Sequence, residues 1–195
     1  MLPIGIIQVE RCFIMVFKKF RINMRRINTV GGGAQTNVNG LEFEARTHLI
    51  DAINNHPEFT VLENQVFKNG EVVAYYYEKH GLYKKLLQSR GIDYTQFISK
   101  KLLPDGALLV DNTIYIIEKK FQNGAGSVDE KLQTCDFKRK QYVKLFSPID
   151  INVQFYYVLN DWFNQPSNRD VFEYIRSVGC DYFFEELPLN RLGLE

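Results

Sequence analysis

Between Leu102 and Phe121 the chain reads LLPDGALLVDNTIYIIEKKF, two runs rich in Leu, Ile, Val and Tyr around a polar Asp111-Asn112 break. Short β-branched runs split by a two-residue polar break predict a β-hairpin. Its charges sit where a core strand should have none: Asp105 in the first run, then Glu118, Lys119 and Lys120 in the second. An unpartnered buried carboxylate is costly, so such groups are paired, protonated or bound to a cation.

With Asp111 and Asn112 at the centre of the turn, Val110 pairs with Thr113. Counting back along both strands then sets Asp105 opposite Glu118, with Cβ atoms ~5 Å apart. Alternation puts Lys120 on the face of Glu118 and turns Lys119 the other way. Two carboxylates this close repel, and one takes a proton unless a cation intervenes. An all-oxygen pair beside an open position suits Mg²⁺, which binds through one or two carboxylates and keeps several waters. Such a cation lowers the pKa of water and stabilises charge on a phosphoryl oxygen, and a lysine alongside can orient that water or help deprotonate it. The alternative is a set of edge ion pairs joining Asp105 and Glu118 to Lys119 and Lys120. A one-residue slip of register would send the carboxylates to opposite faces and remove the metal reading.

At 195 residues and a net charge of +1, the chain offers no global basic field for nucleic acid, so any such case rests on local clustering. Cys12, Cys135 and Cys180 are odd in number, far apart and without CxxC spacing, which predicts reduced thiols rather than a disulfide framework or zinc site. His48, His56 and His80 form no spaced cluster. Residues 1–30 read as a basic and apolar arm. Glu10 and Arg11 interrupt its apolar run, making it too short and too charged to cross a bilayer, and its charge follows that run instead of preceding it as in a signal peptide. A natural start near Met24 is the other explanation of the arm. Residues 31–195 read as one domain of a cytoplasmic protein with no membrane association.

The glycine-rich stretch Val30 to Gly40 reads as a loop. It lacks the GK[ST] ending of a phosphate loop. A helix is predicted over Leu41 to Asn55, with Leu41, Ala45, Leu49 and Ile53 as its buried stripe, Asn39 as N-cap and Glu42 completing a capping box. A strand near Thr60 to Phe67, an Asn69-Gly70 turn and a second strand, Val72 to Tyr77, come next. Lys79 to Lys101 reads as one or two short helices. Beyond the charged hairpin, one helix is expected from Val128 to Phe146, a strand covered on both faces from Ile151 to Leu159, a helix from Arg169 to Val178, and a last strand in Asp181 to Leu187. The order predicts an α/β fold: a central mixed β-sheet flanked by helices. Lys138, Arg139, Lys140 and Lys144, with Lys84, Lys85, Lys100 and Lys101, offer local positive surface for phosphates.

Pro104-Asp105, twelve intervening residues and Glu118-Lys119-Lys120 resemble the signature of the PD-(D/E)xK nuclease superfamily. The element order is similar to that family's helix, strand meander, helix and strand. GGGAQTNVNGLEFE, FQNGAGSVDEKLQTCDFKRKQY and the YYVLNDWF…GCDYFFEELPLNRLGL tail resemble type II restriction endonucleases within it. The resemblance implies a restriction endonuclease-like core that cuts double-stranded DNA with Mg²⁺ and leaves 5′-phosphate and 3′-hydroxyl ends. It implies Asp105 and Glu118 as metal ligands, Lys120 as the catalytic lysine and Glu44, from the first helix, as an added acidic residue. Lys131 and Gln133 are candidates to reach the scissile phosphate. It also implies a homodimer and a DNA methyltransferase in the same system that is not a stable partner. The rivals are a repair nuclease, junction resolvase or exonuclease on the same fold, or a DNA-binding protein that does not cut.

Overall fold

The computed structural model describes residues 33–124 and 128–194. The predicted arm at 1–30 and Cys12 lie outside them.

Seven strands lie in one sheet in chain order: β1 (Phe59–Leu62), β2 (Gln65–Lys68), β3 (Glu71–Tyr77), β4 (Gly106–Val110), β5 (Thr113–Lys120), β6 (Asn152–Leu159) and β7 (Asp181–Phe184). Neighbours run antiparallel from β1 to β5, while β6 and β7 run parallel to β5. Parallel neighbours need long crossovers, and helices supply both. The first crossover holds α3 (Val128–Leu132) and α4 (Cys135–Phe146), the second α5 (Arg169–Ser177). Two earlier helices, α1 (Gly33–Arg46) and α2 (Leu49–Asn55), precede the sheet. The protein is α/β, with a mixed sheet flanked by helices as the element order predicts.

The sheet separates two cores. On one side Ala107, Leu109, Ile114, Ile116, Phe155 and Tyr157 meet Leu132, Tyr142, Leu145 and Phe146 of the first crossover, together with Leu82 to Leu87. On the other side Leu108, Val110, Ile117 and Val158 meet Phe43, Leu49, Ile53 and the C-terminal residues Leu187, Leu192 and Leu194. β6 is apolar along nearly its whole length because it lies between β5 and β7 with both faces covered.

The structure corrects four local expectations. The first helix starts at Gly33, so Asn39 and Glu42 lie inside it and form no capping box. It then breaks at Thr47 and His48, where Thr47 Oγ1 donates back to the Phe43 carbonyl at 2.7 Å and His48 turns extended. Of the expected stripe, Leu49 and Ile53 are buried in the second helix, whereas in the first Leu41 is 66% exposed, Ala45 is exposed and Phe43 is buried in their place. The strand expected over Thr60 to Phe67 is a hairpin turned by Glu63, whose φ of 54° is unusual for its type. Likewise, the helix expected from Val128 to Phe146 breaks at Gln133 and Thr134, where Thr134 Oγ1 donates to the Lys131 carbonyl. The 79–101 segment holds a π-helical turn, Leu82–Leu87, and two 3₁₀ turns.

Candidate active site

The charged hairpin takes the expected register. Val110 pairs with Thr113 and Gly106 with Ile117, so one step further Asp105 stands opposite Glu118. Asp111 accommodates the two-residue turn at φ 48°. Asp105 itself follows Pro104, and its Oδ2 accepts the Lys119 backbone N–H at 2.8 Å, extending the ladder with a side chain where β4 has not yet begun.

Glu118 is 6% exposed. Its Oε2 accepts from Lys120 Nζ at 3.0 Å and from Lys138 Nζ, on α4, at 2.7 Å. Burial alone would raise the pKa of this carboxyl, but the two ammonium groups outweigh it and hold the group below its ordinary 4.5. Lys120 Nζ also donates to the Lys119 carbonyl at 3.0 Å. Beside this cluster the Tyr142 hydroxyl is buried and without a hydrogen-bond partner among the described residues. Burial first, then the nearby Tyr83, Glu118 and Asp105, pushes its pKa far up.

Lys119 points to the opposite side, where its Nζ donates to the Glu44 carbonyl at 3.0 Å. Burial lowers the pKa of that ammonium, and Asp105, Glu44, Glu78 and Asp51 oppose the shift. Asp105 and Glu118 thus stand opposite each other at the end of the hairpin, with Lys120 bonded to Glu118, while Lys119 meets Asp105 through its backbone N–H and the main-chain carbonyl of exposed Glu44 through its ammonium. Lys131 and Gln133 are exposed at the end of α3. The α4 side chain that reaches the motif is Lys138, which sequence reasoning placed on a basic surface.

A signal for Lys138 was present. Cys135, Tyr142 and Leu145 are buried on α4, and Lys138 falls on the same stripe at helical spacing. A charge within a buried stripe calls for a partner, and Glu118 is that partner. Tyr142 follows from the same stripe.

The donor set fits a small hard cation. Asp105 Oδ1 and Glu118 Oε1 take no hydrogen bond from the described residues, since the contacts above use the other oxygen of each carboxylate. No three His, Cys, Asp or Glu side chains gather as a metal site among the described residues. Two carboxylates are nevertheless the complement Mg²⁺ uses when waters and phosphate oxygens fill its remaining positions. The loop beyond β5 is fixed: the buried Asn160 accepts from the Gln122 N–H at 2.9 Å and donates to the Gln122 carbonyl at 2.8 Å.

Other polar clusters lie elsewhere. His48 Nε2 and the Tyr76 hydroxyl both bond Glu78 Oε1, at 2.7 and 2.8 Å. Cys135 and Cys180, far apart in sequence, are both buried free thiols. A cavity of about 610 Å³ opens between α1, α2 and residues 185–190. Ile117 and Val158 are among the residues that line it, on the side of the sheet away from Glu118. Among the described residues no helix is long and apolar enough to cross a membrane. No protein-family model matches this chain, and no curated protein matches it in sequence.

Proposed function

We propose that the protein is a Mg²⁺-dependent, sequence-specific endodeoxyribonuclease of the PD-(D/E)xK superfamily, acting as a type II restriction enzyme. One observation carries this reading: the hairpin register that opposes Asp105 to Glu118 and keeps Lys120 on the Glu118 side. In this reading Asp105 and Glu118 hold the cation through their free oxygens. When bound, Mg²⁺ supplies charge stabilisation at the phosphoryl oxygens and acidifies water. Lys120, held against Glu118 and the Lys119 carbonyl, orients the attacking water from the strand that carries the carboxylate. The substrate is double-stranded DNA, and cutting both strands of a palindrome favours a homodimer whose two-fold axis matches the two half-sites.

A second reading has an observation of its own. Two ammonium groups already pair with Glu118, as they would in a DNA-binding protein whose hairpin charges are purely structural. Incubation with a long plasmid and Mg²⁺ separates the readings. The restriction reading expects discrete fragments, a repair nuclease or exonuclease gives nicking or a smear, and a structural protein binds DNA equally with or without Mg²⁺ and never cuts. Lys120→Ala is expected to abolish cleavage while largely keeping DNA binding. Unchanged cleavage would remove Lys120 from its role.

A further inference from the structure

Lys138 is not needed by the motif, yet it makes the shortest contact to Glu118, at 2.7 Å. Lys120 makes the longer one from the same strand, two residues away, and is held a second time by the Lys119 carbonyl. Lys138 comes from a different element, α4, and its ammonium has that single hydrogen bond among the described residues. Its side chain is 23% exposed, so it has an outlet toward solvent.

A divalent cation placed on this carboxylate would stand within a few ångströms of both ammonium groups, and like charges at that range repel strongly in a partly dehydrated site. One of them must yield. The doubly held Lys120 is the costlier to move, and Lys138 the easier.

We propose that Lys138 is the resident counter-ion that Glu118 exchanges for the divalent cation, and that the released ammonium becomes a contact for a DNA phosphate. This rests on the reading of Asp105 and Glu118 as cation ligands. It gives the protein a built-in coupling: without metal, Glu118 is neutralised and Lys138 is withheld from DNA; with metal, both are put to use. Metal and DNA therefore help each other bind, by the reciprocity that linkage requires.

The test is Mn²⁺ binding to the full chain without DNA, followed by the electron paramagnetic resonance signal of the free ion. Lys138→Met is expected to bind Mn²⁺ about tenfold more tightly than wild type, the scale on which one adjacent charge shifts a carboxylate's affinity for a proton. Lys138→Arg should match wild type, as should Lys144→Met, a charge removed from the same helix. Glu118→Gln should lose binding. If wild type binds Mn²⁺ and Lys138→Met binds it equally or more weakly, the exchange is overturned and the cation site stands. If neither binds, the exchange falls together with the cation reading.

A second measurement needs no variant. On adding Mg²⁺ to wild type, the Lys138 ammonium resonance should move to a solvent-exposed position while that of Lys120 stays. A Lys138 signal that does not move overturns the proposal. DNA binding supplies the other half. In Ca²⁺, Lys138→Met should lower the slope of log affinity against log salt by about 0.9, the value of one lost phosphate contact, and in chelator leave it unchanged. Equal slopes in both conditions would overturn the phosphate contact.

Discussion

A carboxylate taken from water to a place where 6% of the residue remains exposed loses several kcal/mol of hydration, and at Glu118 two ammonium groups offset that loss. Tyr142, one turn beyond Lys138, has no such compensation. Its hydroxyl is buried beside the same carboxylate with no partner among the described residues, and an unsatisfied buried hydroxyl costs about 1–3 kcal/mol. Tyr142→Phe removes the polar atom and keeps the ring that fills the core. The metal-free variant is therefore expected to be more stable than wild type, by about 1 kcal/mol in urea unfolding. A clear loss of stability would mean that the hydroxyl has a partner in solution. The asymmetry between the two neighbours is chemical: an ammonium can reach a carboxylate from a helix one layer away, whereas a phenol fixed in the core cannot turn to look for one.

At the scale of elements, the hairpin was legible and the helix breaks were not. With Asp111-Asn112 as a two-residue turn the register follows by counting, and the observed pairing of Val110 with Thr113 and Gly106 with Ile117 is the one that opposes Asp105 to Glu118. At the break, Thr47 Oγ1 donates to the Phe43 carbonyl and the His48 ring bonds Glu78, thirty residues away. No periodicity within residues 41–55 carries that information, and the misplaced stripe of Leu41 and Ala45 follows from it. The Glu63 turn was missed for a related reason, since nothing in its residue type favours a positive φ. The first helix does reach the hairpin, where the Glu44 main-chain carbonyl accepts from the Lys119 ammonium. The start of β4 is tightly built. A Cβ added at Gly106 would lie 3.0 Å from the Tyr76 hydroxyl, which donates to Glu78. Gly106→Ala must push that ring aside or shift the strand that follows Asp105, at a cost of about 1–3 kcal/mol. It is expected to lower the thermal midpoint and, under the proposed function, to weaken metal binding through displaced Asp105. A variant as stable as wild type would show that Tyr76 gives way freely.

Across the whole molecule, β5 joins two different constructions. On one side it closes an antiparallel meander from β1, made of local hairpins; on the other it begins a parallel sheet whose strands meet only after long helical crossovers. Glu118 and Lys120 sit at the end of this shared strand, so a change in either half reaches them. The halves also differ in cover. β4, β5 and β6 are the most deeply buried strands and their apolar residues enter both cores, while β1 and β2 are four-residue strands toward the sheet's margin with three of the four residues in each exposed or half-exposed. Amides in poorly covered, marginal elements exchange through local opening, whereas those of the central strands exchange only on global unfolding. Hydrogen exchange should therefore place the slowest amides in β4, β5 and β6, with rates tracking the global unfolding free energy under added denaturant, and faster exchange in β1 and β2. Uniform protection across the sheet would contradict this, and so would a β5 that opens before β1. Under the proposed function slow exchange at β5 matters, because a carboxylate and an amine that meet a phosphate within a fraction of an ångström need a strand that does not fray. β5, paired on one side with the fully buried β4 and on the other with β6, carries the Glu118 and Lys120 backbone, and protection at those two amides reads whether the proposed site is preorganised.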